Sequence, residues 1–326
     1  MFRASVGGHS ARVTLVAPAG SSPAARTRTT TRRARATCAP CPWCRTGDVE
    51  FGWYPAALAD VEASLGVTAR LAAACRGSGD RPLLDRLAHA FARFRTRGTA
   101  VPAGEDGAGP AVVDVGAGFG GPAAWLARAH GLRTLGVEPS LPALAAARTL
   151  FPDLPVVRGE AGRLPLADGA HDGALMLGVV SLVDDVPQAL AQARRVVRDG
   201  GLLALTDYVG LDAADRTAAR EAAAAGRPLL PRGTKVRLLG DVLGGVRAAG
   251  WSVLESTVGP VAPDPQWAAV RRAVDQLVEA YVARTPHGTG AACPFALRAE
   301  RRARAQFGTA IASHRVTRLT LVAQAV

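Results

Sequence analysis

Asp114-Val-Gly116-Ala-Gly118-Phe-Gly120 is the segment of this chain whose residue types and spacing most directly suggest chemistry. Glycines at alternate positions leave backbone N–H groups with no Cβ in front of them. At a helix N-terminus such groups can approach a charged or polar ligand closely. Glu138 follows 22 residues after Gly116. A carboxylate at that separation can accept hydrogen bonds from both hydroxyls of a ribose. Gly116, Gly118 and Gly121 also satisfy the G-x-G-x-x-G spacing of dinucleotide sites, so the loop alone does not choose between ligands.

The elements that must position this loop can be read on either side of it. Ala111–Val115 is a short apolar run with strand character, and Pro122–His130 reads as a helix with proline at its start and Gly131 beyond its end. Further strands are expected at 133–137, 155–158, 172–177, 202–206 and 251–257, with helices over 141–150, 186–197 and 236–249. The turn Asp199-Gly200-Gly201 punctuates the last helix–strand junction before 202. Strands alternating with helices give a mostly parallel α/β sheet with right-handed crossovers. Residues 315–323 alternate Val316, Leu319 and Leu321 and supply a last strand. Ligands in such sheets bind beyond the carboxyl ends of the strands, so the residues just after each strand matter most.

The 326 residues are 48% apolar and 20% charged, which supports a packed core and excludes global disorder. No apolar run is long enough for a membrane helix. Residues 1–47 hold eight arginines and no acid, whereas the rest has 31 basic against 27 acidic residues, so much of the net charge of +12 belongs to the tail. The tail reads as disordered. A nucleic-acid arm, an organelle transit peptide and a non-functional extension all fit it. Lys235 is the single lysine, a bias that weakens any reading of arginine as phosphate recognition. Cys38, Cys41 and Cys44 have C-x2-C-x2-C spacing, but a zinc site would need a distant fourth ligand such as Cys75, and incidental thiols are the simpler reading. An odd cysteine count without a secretory segment makes a reducing cytoplasm the expected setting.

The ordered set of motifs over residues 110–258 resembles the class I S-adenosylmethionine-dependent methyltransferases of the small-molecule type. Asp114-x-Gly116-x-Gly118-x-Gly120 is similar to the family's first motif, and Val137-Glu138-Pro139-Ser140 to its ribose-binding acidic motif. Gly159-Glu160-Ala161 with Leu164–Asp168 resembles the adenine-side segment, and Arg194–Gly201 the turn before the fifth strand. Asp199 and His171 stand where the family usually has Pro and Phe. The resemblance implies a Rossmann-like, seven-stranded, mostly parallel sheet with an antiparallel last strand, and S-adenosylmethionine as cofactor. It further implies that Asp114 and Gly116-Ala117-Gly118 meet the methionine part, Glu138 and Pro139 the ribose, Glu160 and Ala161 the adenine, and Gly178 the methyl-transfer side. No metal is implied.

Domain limits are expected at 1–47 for the tail, 48–104 for a helical cap and 105–326 for the catalytic domain, with insertions at 209–232 and 260–313. Two insertions suggest an enclosed pocket for a small organic acceptor rather than nucleic acid. They leave monomer and homodimer open. Tyr208 follows the fifth strand on the ligand side, and His287 lies in the late insertion, so these two are the candidate catalytic groups. Trp53, Tyr54, Trp267 and Tyr281 are aromatics of the cap and insertion, where packing is the commoner role. His130 and His171 fall on the wrong side of the sheet, and His9 in the tail. An RNA methyltransferase using the basic tail, a non-catalytic cofactor-binding protein and a nicotinamide oxidoreductase are the competing readings.

Overall fold

The computed structural model describes residues 2–6, 9–13, 67–75, 80–96, 109–224, 234–259, 264–284 and 316–326. Two strands open the chain, β1 (Phe2–Val6) and β2 (His9–Val13), paired antiparallel from Phe2↔Val13 to Val6↔His9. Both strands lie within the segment 1–47 expected as a tail. Two pentads of alternating apolar and polar residues flank Gly7-Gly8, a pairing signal for a two-residue hairpin. The rest of the tail, with Cys38, Cys41 and Cys44, lies outside the described residues, as do Trp53 and Tyr54.

The main sheet contains β3 (Ala111–Val115), β4 (Arg133–Glu138), β5 (Val156–Arg158), β6 (His171–Leu177), β7 (Val197–Gly210), β8 (Arg237–Leu238), β9 (Trp251–Val258) and β10 (Thr317–Ala325). Its order is β5-β4-β3-β6-β7-β10-β9, and the two-residue β8 pairs with the end of β7 as an eighth strand. The pairs among β5, β4, β3, β6 and β7 are parallel, and β10 runs antiparallel between β7 and β9. The seven-strand expectation thus holds along the continuous path. The near-continuous apolar sequence of β3 and β6 follows from burial on both faces.

Helices α1 (Val67–Ala74), α2 (Arg81–Thr96), α3 (Gly121–His130), α4 (Leu141–Leu150) and α8 (Pro265–Arg284) contribute to one core layer, including Leu71, Leu87, Leu126, Leu144 and Trp267. The opposite face is covered by α5 (Val186–Val196) and α7 (Leu239–Ala248), through Leu190, Val196 and Val246 among others. A further helix, α6 (Ala213–Ala224), follows the end of β7. Local chemistry explains several boundaries. Ser140 caps α4 by accepting from the Ala143 N–H, and Asp185 caps α5 through the Gln188 N–H at 2.9 Å. Gly131, at φ 68°, closes α3.

β7 is longer than expected. It enters at Val197, bulges at 198–201 between the pairs His171↔Val197 and Gly173↔Leu202, and runs on to Gly210. The Asp199-Gly200-Gly201 turn is therefore a bulge within the strand, allowed by Gly200 at φ 75°.

The N-terminus of α3 is reached closely by α1. A Cβ on Gly121 would lie 2.4 Å from the Ala74 carbonyl carbon and 2.5 Å from the Cys75 nitrogen. Backbone cannot yield as a flexible side chain would. Gly121→Ala is therefore expected to destabilise the fold by about 1–3 kcal/mol through overpacking. Equilibrium denaturation of the variant against wild type measures this, and an unchanged midpoint would contradict the contact.

Candidate functional site

The parallel order places the topological switch between β3 and β6, where the chain departs in opposite directions across the sheet. The glycine loop is docked there almost wholly by backbone. Gly116 and Ala117 both donate N–H to the Val137 carbonyl, at 2.8 and 3.1 Å. Gly118 donates to Glu138 Oε2 at 2.9 Å, and Ser140 N–H reaches Oε1 of the same carboxylate at 3.0 Å. Glu138 is thus buried at the end of β4, 8% exposed, with one backbone donor on each oxygen. A carboxylate offers about four lone-pair sites and can accept from several donors at once.

Gly116 holds φ 74°, and a Cβ there would meet Val179 Cγ2 at 2.8 Å. This close approach brings the loop after β6, with Gly178 and Val179, against the loop after β3. At Gly118, φ is 54° and, among the described residues, no atom lies within 4 Å of where a Cβ would stand. The backbone there borders open space, as a cradle for a ligand requires. The expected residues Asp114, Gly116, Ala117, Gly118, Glu138, Pro139 and Gly178 therefore gather at one edge of the sheet. Glu160 and Ala161 follow β5, whose Arg158 pairs with Glu138, and Glu160 is exposed.

Asp114 lies behind the loop, 1% exposed, and its Oδ2 has no hydrogen-bond partner. Burial, followed by the neighbouring Glu138 carboxylate, pushes its pKa up to about 7, against the lowering effect of the Ala123 N–H. An orphaned buried carboxylate oxygen beside a bare glycine loop suits a cationic ligand such as the ammonium of a methionine moiety.

Asp207 and Arg237, absent from the sequence-based site, hold the loop after β6. Asp207 Oδ2 accepts from Ser181 N–H at 2.8 Å while Oδ1 accepts from Tyr208 N–H at 2.8 Å. Burial raises the Asp207 pKa against these hydrogen bonds. Arg237 donates to the carbonyls of Val180, Val183 and Asp184, and Lys235 N–H to Ser181 O at 2.7 Å. Position gave one signal for Asp207, since it follows the fifth strand. Arg237 had none, because its partners lie more than 50 residues away.

Tyr208 lies in the last turnless stretch of β7, and its hydroxyl accepts from Arg318 Nη2 at 2.8 Å. His287 lies outside the described residues, as do the placed surroundings of Tyr281. Trp267 is core, edge-to-face with Trp125 at 5.0 Å. His130 pairs through Nε2 with Asp85 Oδ1 at 2.8 Å, at the far end of α3 from the glycine loop. His171 starts β6 at the amino edge, where burial lowers its pKa. Cys75 is a buried free thiol whose pKa burial pushes far upward, so it is a poor thiolate ligand for a metal. Among the described residues no group of three or more His, Cys, Asp or Glu could hold a metal, and no helix is long and apolar enough to cross a membrane.

Comparison with known proteins agrees with this geometry. Residues 113–205 match the family model described as a methyltransferase domain. Methyltransferase GfsG of Streptomyces halstedii is 36% identical over 108 residues, covering 31% of this chain and 39% of that protein. O-methyltransferase resE of Aspergillus sclerotiorum is 34% identical over 107 residues, covering 31% and 40%. The chain spans less than half the length of the curated relatives it matches. The crystal structure of the 4+2 cyclase SpnF superposes with a TM-score of 0.56 at 21% identity, over 86% of this chain and 94% of that one, a likeness of fold. Residues 113–205 are thus a methyltransferase domain.

The elevated Asp114 carboxyl has a definite pH signature. Its native pKa lies above the unfolded value, so between about pH 4 and 7 the native state binds the extra proton. The contribution of this group to stability is present at low pH and is lost as pH rises through that window. Asp114→Asn removes the titration. The stability difference, wild type minus variant, is expected to fall from pH 4 to 8 in denaturant titrations, and a flat difference would contradict the burial.

Proposed function

We propose that this chain is an S-adenosylmethionine-dependent methyltransferase acting on a small organic acceptor. The observation that carries the proposal is the Gly118–Glu138 contact with Asp114 behind it: a bare backbone loop, a buried carboxylate at the end of β4 and a buried orphan oxygen meet at one edge of the sheet. Asp114 and residues 116–118 would hold the methionine part, Glu138 with Pro139 the ribose, and Glu160 with Ala161 the adenine. Gly178, held beside Gly116 by the Val179 approach, would border the transfer path. The cofactor supplies a methyl group already activated on a sulfonium. The chain's task is then alignment and exclusion of water.

Backbone docking suits that task, because a loop fixed by main-chain hydrogen bonds is set before ligand arrives. The relative described as an O-methyltransferase favours a hydroxyl acceptor, which must lose a proton. Tyr208 is the described candidate to hydrogen-bond and orient that hydroxyl, its own oxygen accepting from Arg318. His287 is the second candidate.

A small acceptor is favoured over RNA by how the arginines are used. Arg194, Arg195, Arg198, Arg237 and Arg271 are spent on structural carbonyls and carboxylates. They are not arrayed for phosphates. The free buried thiol of Cys75 accords with a cytoplasmic setting.

Labelled methyl transfer from S-adenosylmethionine into a metabolite extract tests the activity, and calorimetry tests the site. Glu138→Ala should weaken S-adenosylmethionine binding about ten- to a hundredfold, as expected for lost hydrogen bonds to a charged group. Tyr208→Phe should lower kcat with little change in cofactor affinity. Unlabelled extract, or Glu138→Ala binding as wild type, would overturn the reading.

A further inference from the structure

We infer that Arg318 anchors a carboxylate on the molecule that occupies the acceptor side of the crevice. The inference rests on the methyltransferase reading for the identity of that crevice, and on the following geometry for its chemistry. Strand register puts Asp114, Leu175, Ala204 and Val322 in one row across β3, β6, β7 and β10, all on the face of α3. Two residues further toward the carboxyl edge, the row is Leu177, Thr206 and Thr320. Two further again it is Tyr208 and Arg318. Alternation keeps these residues on the same face as Asp114.

This face changes character along its length. The first row is apolar apart from Asp114. The second holds two threonines directly opposite each other, at 0% and 7% exposure, and neither hydroxyl has a hydrogen-bond partner. The third holds a half-buried guanidinium. Among the described residues its partner is the Tyr208 phenol, by the 2.8 Å hydrogen bond and by stacking at 5.2 Å from the ring centroid, and Arg318 makes no ion pair. The sheet's one nearby acid, Asp207, points to the opposite core and is taken by Ser181 and Tyr208 N–H groups.

Partly buried cations ordinarily carry an anionic partner, and buried hydroxyls a hydrogen bond. Three adjacent departures from those rules on one face, between the cofactor loop and the rim, describe a complementary ligand. A single guanidinium balances a single negative charge, and its planar fork matches a carboxylate. The hydroxyls of Thr206 and Thr320 are neutral donors suited to polar atoms nearer the transferred methyl. Tyr208 holds the guanidinium in place, and the threonine row lies on the cofactor side of it, so the carboxylate and the nucleophile would lie on the same small molecule.

Ligand-observed NMR titration of the full chain with benzoate and with its neutral analogue benzyl alcohol tests this. Wild type should bind benzoate about tenfold tighter than benzyl alcohol. Arg318→Met should abolish that preference while leaving S-adenosylhomocysteine affinity and Tm near wild type, and Arg318→Lys should keep part of it. If Arg318→Met fails to fold, Arg318→Gln, neutral and still hydrogen-bonding, serves as the same test. Equal binding of the two probes by wild type, or a benzoate preference that survives Arg318→Met or Arg318→Gln, overturns the inference. Equal binding of the two probes by wild type with intact labelled transfer removes this inference alone. A preserved preference without any methyl transfer removes the catalytic reading and leaves a carboxylate site.

Discussion

The carboxylate of Glu138 takes the Gly118 N–H on one oxygen and the Ser140 N–H on the other, and the arrangement of the crevice follows from it. Together with the Val137 carbonyl, which accepts from Gly116 and Ala117, it pins three consecutive residues of the glycine loop to the end of β4. The neighbouring strand is cut back to permit this: a Cβ on Gly136 would lie 2.9 Å from that of Ala117. Once the loop is pinned, Gly116 fixes where Val179 and the β6 loop sit, and Gly121 fixes where α1 ends. Because the contacts are main chain to main chain or to one buried side chain, little rotamer entropy is left to lose on binding.

Polar satisfaction is distributed unevenly over the sheet. At the amino edge, Asp172 accepts from both the Ala111 N–H and Arg198, and Asp85 serves Trp125 and His130. His171 Nδ1 is the exception there. Toward the carboxyl edge, on the α3 face, orphans cluster: Asp114 Oδ2 and the hydroxyls of Thr206 and Thr320. A fold tolerates such groups where something other than stability is being selected, and an edge that also carries the bare Gly118 backbone is such a place.

Much of this architecture was legible because its signals are local. Strand β3, the loop after it, Glu138 and the helices opened by proline and closed by Gly131 each announce themselves within a few residues. The last strand was legible through alternation at Val316, Leu319 and Leu321, and its antiparallel direction through the family resemblance. What escaped depends on distant partners. Arg318 meets Tyr208 across 110 residues, and Arg237 clamps carbonyls more than 50 residues before it. The β7 bulge escaped because Asp-Gly-Gly has the same appearance as a strand break, and only the register with β6 distinguishes the two. The pairing of β1 with β2 was hidden by the composition of the arginine-rich segment around it.

A crystal structure of the chain with S-adenosylhomocysteine is the most direct measurement of the central claim. The account predicts both ribose hydroxyls within hydrogen-bonding distance of the Glu138 carboxylate, and the methionine moiety over residues 116–118 with its ammonium toward Asp114. A ligand seated elsewhere, or a ribose facing away from Glu138, would contradict it.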